Sequence, residues 1–416
     1  MRMRTERRLG LILAATVATA ALEAPLVWAQ PVAVPPTHAI EAYTRYELLA
    51  PDSGKFSILY DVTQYEPGVS ALFNPIRKGS IATDESVTDL ATGKPLRFEV
   101  VDGAGARRTG YPEADLGSDF IRVTLARPVP ADGGEGRVRI LKTYEDKASY
   151  HLDGQDIVFE RPLGVKRNAV VLPLGYSLKS CNVPSQVAQE PDGRIRISFL
   201  NDRPGEAPLQ LRATPAPSLP TAPSSVADKL HQRALQTRDI VYFLRAPETH
   251  AFDLYHDYTE DRVGMSHYVN VVRPGSEASN PSARNLDTGD AIPAQILKGE
   301  KIVEAGISDP DLDHVTPDTE IVLFKFAPLQ AGQSIRLRFS ETYTDPGRYR
   351  LVGDELVFER SFGRAINSVV LPKGWRLTNS ESPVAVSQIE DGRTRLDFIN
   401  PREDETGVLF TARRAP

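Results

Sequence analysis

Apolar and polar residues alternate with a period of two along most of this chain. Residues 138–140, 195–199 and 335–339 each alternate apolar with mainly basic or polar side chains. Such alternation predicts strands with one buried face and one wet face. Asp-Gly and Pro-Gly pairs, which favour tight turns, fall between these segments. The pattern therefore predicts an all-β protein built from antiparallel sandwiches.

The sequence also contains an internal repeat. Residues 144–217 align without a gap with residues 343–416, and upstream Tyr46 aligns with Tyr242 and Gly93 with Gly289. Because repeats in solenoids are only about 20 to 50 residues long, this much longer period indicates a duplicated domain. We predict two tandem homologous antiparallel β-sandwich domains, each made of one large or two small sandwiches. Phe159 and Phe358 are expected at equivalent core positions.

The chain begins with a pattern typical of export. Four arginines within residues 1–8 precede a short apolar run, and small residues precede Gln30, so residues 1–29 are expected to be a signal peptide cleaved after Ala29. The run is shorter than the roughly 20 residues that span a bilayer. We predict a linker at 30–39, repeat 1 at 40–213, a Pro-rich linker at 214–226 and repeat 2 at 227–416. The expected location is periplasmic or secreted, with no membrane span after cleavage.

Composition narrows the classes of partner. The net charge of -6 is spread along the chain without a long basic block, which argues against nucleic acid as a partner. The chain has a single cysteine, Cys181, so an internal disulfide is excluded. Its counterpart in the second repeat is Ser380, which favours a structural thiol over a shared nucleophile. The common hydrolase, zinc-peptidase, phosphate-loop and dinucleotide motifs are absent from the sequence.

One group of histidines is a candidate metal site. His250, His256 and His267 lie close together in the second repeat, beside Asp257, and these residue types bind divalent metals. Strand alternation turns His256 and Asp257 to opposite faces, and a shift of one residue in register decides whether His267 meets His256. The alternative is that these histidines are solvated or hydrogen-bonded, and this interpretation is favoured.

Polar residues shared by both repeats form a second candidate set. Asn74 and Arg77 recur as Asn270 and Arg273, each pair close to a serine, and they are candidates for binding an anionic or polar ligand. Asp61 and Arg161 also recur, as Asp257 and Arg360. Salt bridges and turn contacts are the preferred interpretation of such positions, because a duplicated architecture preserves them.

Some segments resemble known groups of proteins. Residues 256–260 (HDYTE) and 270–273 (NVVR) resemble segments of exported bacterial tandem β-domain proteins of uncharacterised activity. The strand pattern is similar to that of the β domain accompanying M1-class metallopeptidases. That resemblance implies an accessory β domain without the catalytic domain, because the sequence lacks the zinc helix of those enzymes.

These observations leave several functions open. The preferred hypothesis is an extracytoplasmic non-catalytic binding or assembly module of the bacterial cell envelope, with a polysaccharide, peptide or protein partner; duplicated sites would raise avidity. One alternative is an extracytoplasmic hydrolase or lyase, with or without a divalent metal, whose site lies in the second repeat or between the domains. Another is a structural or chaperone-like periplasmic protein.

Overall fold

The computed structural model describes residues 42–131, 133–203, 205–216, 232–307, 309, 312, 314–402 and 404–415. The predicted signal peptide, the segment 30–39 and residues 217–226 of the predicted linker lie outside these ranges. Within them, none of the helices combines the length and the apolar character that a bilayer-spanning helix requires.

Both repeats consist almost entirely of strands. The first contains β1 (Tyr43–Leu48), β2 (Lys55–Gln64), β3 (Ala71–Ile76), β4 (Ile81–Asp89), β5 (Phe98–Asp102), α1 (Gly103–Arg108), β6 (Asp119–Thr124), β7 (Gly136–Glu145), β8 (Tyr150–Asp153), β9 (Asp156–Leu163), β10 (Arg167–Val171), β11 (Tyr176–Cys181), β12 (Gln186–Gln189), β13 (Ile195–Leu200) and β14 (Ala207–Pro215).

A short 3-10 turn, Arg233–Leu235, precedes the second repeat. Another, Pro247–Thr249, follows the first strand of that repeat. The second repeat contains β15 (Asp239–Leu244), β16 (Ala251–Glu260), β17 (His267–Val271), β18 (Glu277–Asn285), β19 (Ala291–Ile292), β20 (Ala294–Lys298), α2 (Glu300–Glu304), β21 (Glu320–Lys325), β22 (Ile335–Thr344), β23 (Tyr349–Val352), β24 (Glu355–Phe362), β25 (Ile366–Val370), β26 (Trp375–Ser380), β27 (Ala385–Gln388), β28 (Thr394–Ile399) and β29 (Thr406–Arg414).

The two repeats share one topology. In the first, a large sheet with the order β12-β13-β10-β1-β2-β7-β4 packs against two smaller sheets, β11-β14-β9-β8 and β3-β6-β5. In the second, the large sheet runs β19-β18-β22-β16-β15-β25-β28-β27, and the smaller sheets are β23-β24-β29-β26 and β17-β21-β20. The predicted all-β, duplicated fold is confirmed. One parallel pair in each repeat, β1 with β10 and β15 with β25, departs from the purely antiparallel expectation.

The parallel pair has a physical reason. β10 and β25 are buried along their whole length, since both of their faces are covered. Parallel pairing is typical of strands covered on both faces, and here the buried residues include the polar side chains Arg167, Asn168, Asn367 and Ser368. Phe159 and Phe358 both have no exposed surface and lie at equivalent positions of the two cores, as predicted.

The repeats contact each other through a buried polar interface. The Arg137 guanidinium of the first repeat forms two hydrogen bonds with the Asp287 carboxylate of the second, at 2.7 and 3.0 Å. Arg167 Nη2 lies 2.6 Å from an oxygen of Asp239. The side chains of both pairs are at most 3% exposed. Because removing one partner of a buried ion pair leaves an uncompensated charge, loss of either partner in these pairs is expected to destabilise the contact between the repeats.

Backbone hydrogen bonds in this interface follow an approximate two-fold relation. The Glu135 amide donates to the Leu286 carbonyl at 2.8 Å, and the Ser334 amide donates to the Leu90 carbonyl at 3.2 Å. Glu135 and Ser334 are equivalent residues of the two repeats, as are Leu90 and Leu286. Each repeat therefore uses the same edge to contact the other, which is the arrangement of an isologous dimer interface.

Candidate functional site

A cavity of about 780 Å³ lies in the first repeat. Its floor is the inner face of the large sheet, and its walls come from the ends of β3 and β9 in the two smaller sheets. This volume is within the range of small-molecule sites, which is about 300 to 1,000 Å³. The lining includes Thr44, Tyr46, Ile58, Tyr60, Val62, Asn74, Arg77, Lys142, Tyr144, Arg161, Lys166, Asn168 and Glu206.

Strand alternation brings a lysine onto the floor of the cavity. Along β7, Val138, Ile140, Lys142 and Tyr144 are buried in turn, while the residues between them are more exposed. Such a period of two places all four on the inner face. Lys142 is therefore a cationic residue in a row of otherwise apolar or aromatic side chains, and only 5% of it is exposed.

The amine of Lys142 has one hydrogen-bond partner among the described residues. Its Nζ donates to Oδ1 of Asn74 at 2.5 Å and lies 4.8 Å from the centre of the Tyr144 ring. No carboxylate of these residues forms an ion pair with it. Burial is the main cause that lowers the pKa of Lys142 to about 7; the nearby Arg161 acts in the same direction, and Glu85 opposes the shift. A substantial fraction of this amine is thus neutral near pH 7.

Two phenols and a guanidinium complete the inner part of the cavity. Burial raises the pKa of Tyr60 to about 12 and also raises the pKa of Tyr144, so both phenols stay protonated. The Arg161 guanidinium lies over the Tyr144 ring, with its carbon 5.5 Å from the ring centre, and donates to Asp146 at 3.2 Å. Asp146 therefore balances the charge of Arg161, whereas Lys142 has no such partner.

Arg77 lies exposed at the edge of the cavity. Its backbone amide donates to the Tyr144 hydroxyl at 3.3 Å. Among the described residues no carboxylate or hydroxyl pairs with its guanidinium. In the second repeat, Arg273 Nη1 instead donates to the Ser361 hydroxyl at 3.1 Å. Since proline at position 162 replaces that serine in the first repeat, this hydrogen bond cannot form and Arg77 stays available to a ligand.

The second repeat has the opposite charge at the same place. Glu341 replaces Lys142 and accepts a hydrogen bond from Nδ2 of Asn270 at 2.8 Å. Burial raises the pKa of Glu341 to about 7, although Asn270 opposes the shift. The shared asparagine thus accepts from an amine in one repeat and donates to a carboxyl group in the other. An amide can do both, because it carries a donor and an acceptor.

Aromatic rings fill the corresponding space of the second repeat. His256, Tyr258, Tyr268 and Phe339 stand where the first repeat has Tyr60, Val62, Leu72 and Ile140. The Phe339 ring stacks 4.3 Å from the His256 ring and 4.5 Å from the Tyr268 ring, between centroids. The core of the second repeat is continuous across both smaller sheets, whereas that of the first divides into two clusters.

The residues of the metal hypothesis do not converge. His250 Nδ1 contacts the backbone carbonyl of Tyr349 at 3.0 Å, and the Asp257 carboxylate forms two hydrogen bonds with Arg338 at 2.7 and 2.8 Å. Within the described residues, no three His, Cys, Asp or Glu side chains are grouped so that they could hold a metal ion.

The histidine hairpin considered from the sequence is also not formed. β16 pairs with β15 and β22, whereas β17 pairs with β21 in a separate sheet. Tyr268 faces the core beside Phe339, so alternation along β17 turns His267 to the other face of its sheet. Burial holds the pKa of His256 well below its usual range, and nearby arginines, first Arg238, act in the same direction. This side chain is a neutral part of the core.

The other shared polar residues form matched ion pairs. The Asp61 carboxylate accepts two hydrogen bonds from Arg139, and the Asp257 carboxylate accepts two from Arg338. In each repeat the nitrogen–oxygen distances are 2.7 and 2.8 Å. Arg161 contacts Asp146, and the equivalent Arg360 contacts Asp345 at 2.8 Å. Their arrangement agrees with the interpretation of these positions as structural salt bridges.

Asn74 and Arg77 of the proposed ligand set line the cavity, while Asn270 and Arg273 are engaged by their own repeat. Sequence reasoning missed Lys142. The signal was a lysine within an otherwise apolar inward row of a strand, at a position where the other repeat carries a carboxylate.

Comparisons with known proteins give only weak structural similarities. No protein-family model matches the chain. No curated protein matches it either. A two-domain M1 zinc metallopeptidase bound to L-arginine is 14% identical with a TM-score of 0.28, covering 42% of this chain and 41% of its own. An M1 zinc metallopeptidase from Deinococcus radiodurans, bound to a Tyr-Ser-Ala substrate, is 15% identical with a TM-score of 0.27 and covers 42% of each chain.

A collagen adhesin from S. aureus is 8% identical with a TM-score of 0.17, covering 76% of this chain and 81% of its own. This chain therefore spans about two fifths of the length of the two metallopeptidase structures. The M1 resemblance suggested by the strand pattern is present as a weak structural similarity. At these TM-scores none of the three supports an assignment of function.

Proposed function

We propose that this chain is an exported binding or assembly module of the bacterial cell envelope whose first repeat takes up a small ligand. The observation that supports this proposal is the contrast between the repeats. The same topology encloses a cavity lined with buried polar groups in the first repeat, whereas stacked rings occupy the equivalent space in the second. A well-packed core has few voids larger than a water molecule, so an open, polar space of this size favours a ligand.

The chemistry of the lining favours an organic anion with an apolar body. Lys142 and Arg77 lack carboxylate partners among the described residues, whereas Arg161 is paired with Asp146. Glu206 lies exposed at the rim. Ile58 and Val62 provide apolar wall beside the phenols. An aromatic carboxylate can place its charge near Lys142 and Arg77 and its ring against this wall.

The second repeat has the assembly role in this proposal. Its core is filled, and its edge holds the first repeat through Asp287 and Asp239. It thereby fixes the first repeat in one orientation and leaves its own outer surface for a polysaccharide, peptide or protein of the envelope.

Calorimetric titration of the mature chain with benzoate tests the ligand site. We expect a dissociation constant below about 1 mM. Val62→Tyr introduces the ring that Tyr258 supplies in the second repeat, so it should abolish binding. The matched control is Tyr258→Val, which changes the second repeat in the reverse sense and should leave binding unchanged. Equal binding by the parent and by a folded Val62→Tyr variant would contradict the cavity as the site.

A further inference from the structure

Lys142 differs from the surface lysines of this chain. Lys55 and Lys179 are about half exposed and form ion pairs with Glu145 and Asp156. Lys142 instead reaches the cavity from the inner face of β7 and has only the neutral Asn74 as a hydrogen-bond partner among the described residues. An ion pair would hold the amine in its charged form, and that constraint is absent here.

The surroundings of this amine match the needs of a nucleophile. Desolvation lowers the pKa of the Lys142 amine to about 7, so its lone pair is available near neutral pH. Asn74 accepts one N–H and orients the nitrogen. The adjoining space admits a small molecule.

We propose that Lys142 captures small aldehydes that carry a carboxylate, by forming a reversible imine inside the first-repeat cavity. The inference rests on the proposed ligand-binding function of that cavity and adds a reactive group to the ligand. Arg77, at the edge of the cavity and without a carboxylate partner, is suited to the ligand carboxylate.

The reaction is balanced without any further reagent. The nitrogen lone pair of Lys142 attacks the carbonyl carbon, and the carbonyl oxygen takes a proton from the nitrogen, which gives a carbinolamine. The nitrogen electron pair then forms a carbon–nitrogen double bond as the carbon–oxygen bond breaks, and the departing hydroxyl takes the remaining nitrogen proton and leaves as water. Tyr60 and Tyr144 line the same cavity, and burial keeps both phenols protonated. They can donate hydrogen bonds to the departing hydroxyl group.

Reductive trapping of the mature protein tests this chemistry. One equivalent of 4-carboxybenzaldehyde is added at pH 7 with sodium cyanoborohydride, which reduces an imine to a stable amine, and the labelled peptides are quantified by mass spectrometry. We expect labelling at Lys142 to exceed that at Lys55 by at least tenfold, since an ordinary lysine with a pKa near 10.4 is almost fully charged at pH 7. Excess 4-(hydroxymethyl)benzoate, which has no carbonyl group, should compete and suppress the label.

Two variants separate the imine from simple anion binding. Lys142→Arg keeps a positive charge beside the cavity but cannot form an imine, so it should lose the label at this position. Lys55→Arg is the matched surface control and should retain the label at Lys142. Benzoate binding by the parent without preferential labelling of Lys142 would overturn the imine alone. Preferential labelling of Lys142 in a protein that fails to bind benzoate would support the imine and contradict the anion selectivity of the proposed function.

The competition measurement uses the unaltered chain, so it decides the matter even where a variant folds poorly. Labelling spread evenly over the surface lysines, with no effect of the competitor, would overturn the proposal.

Discussion

At one equivalent position the two repeats bury ionisable side chains of opposite charge. In both repeats an asparagine is the hydrogen-bond partner of that side chain. Lys142 of the first repeat meets Asn74, and Glu341 of the second meets Asn270. Desolvation moves the pKa of both ionisable groups to about 7, which favours the neutral form in each case. An asparagine can serve either partner, so the fold tolerated an exchange of charge at this position while its topology stayed the same.

The repeats differ in what occupies the space above this position. In the second repeat, Phe339 is packed between His256 and Tyr268. In the first, the smaller Ile140 and Leu72 stand at the equivalent positions, and the cavity is lined by Tyr60 and Val62, which pack against the cluster that contains them. Since the two repeats share one topology, the difference between them at this place lies in the side chains.

The largest expected effect concerns a residue that only one repeat carries. Asp287 pairs with Arg137 across the interface, whereas the equivalent residue of the first repeat is Ala91. Asp287→Ala should reduce the free energy of unfolding by about 3 to 5 kcal/mol, because it leaves Arg137 buried without this carboxylate. Denaturant unfolding measures the loss.

Asp404→Ala removes an exposed carboxylate that pairs with Arg402, and it serves as the control. It should leave the free energy of unfolding almost unchanged. Similar losses in the two variants would show that the interface pair contributes no more than a surface contact.

Proteolytic cleavage between residues 217 and 231 should leave the two fragments associated, since the interface pairs do not depend on an intact chain there.

The second prediction uses the opposite titrations of the two repeats. Between pH 4.5 and about 7 the folded chain holds a proton on Glu341 that the unfolded chain releases, so the free energy of unfolding falls as pH rises. Between about 7 and 10.5 the unfolded chain holds a proton on Lys142 that the folded chain lacks, so it rises again. Each contribution is roughly 3 to 5 kcal/mol, at 1.36 kcal/mol per pKa unit.

Glu341→Gln and Lys142→Met each remove one half of this profile. Stability curves recorded from pH 4.5 to 10 should lose the acid-side slope in Glu341→Gln and the alkaline-side slope in Lys142→Met. The double variant should show neither contribution. A parent profile that is unchanged in both single variants would mean that other groups cause the pH dependence.

The sequence was sufficient for the fold but not for the site. Strand alternation and the duplication predicted the all-β architecture, and the repeated Val-Phe-Glu-Arg segments placed Phe159 and Phe358 correctly in the two cores. The register between β16 and β17 depends on contacts with β21 and β22, which are distant in sequence. For that reason the relation of His256 to His267 could not be fixed by local pattern.

The cavity itself was beyond sequence reasoning. Whether a space remains beside Val62 and Ile140 depends on how three sheets pack together. The alternation of apolar and polar residues along a strand does not predict the volume of that space. The exchange of Lys142 for Glu341 was visible in the aligned repeats, but its meaning required knowing that both side chains point inward.

The smallest expected effect comes from exchanging side-chain volume between the repeats. Phe339→Ile gives the second repeat the residue of the first, removes two ring stacks and leaves a gap, so it should reduce the free energy of unfolding by about 1 to 2 kcal/mol. Ile140→Phe is the reverse exchange. Although Ile140 is fully buried, it lies beside Tyr60 and Val62, which line the cavity, so the larger ring has adjoining space and should change stability by less than about 1 kcal/mol.

The two exchanges should also differ in ligand binding. Ile140→Phe should weaken benzoate binding, because the ring takes up cavity volume, whereas Phe339→Ile should leave it unchanged. Denaturant midpoints and calorimetric titration of the same two proteins give both readouts. If Ile140→Phe were as destabilising as Phe339→Ile and bound benzoate normally, the first repeat would have to be as tightly packed as the second, and the difference in side-chain volume would not explain the cavity.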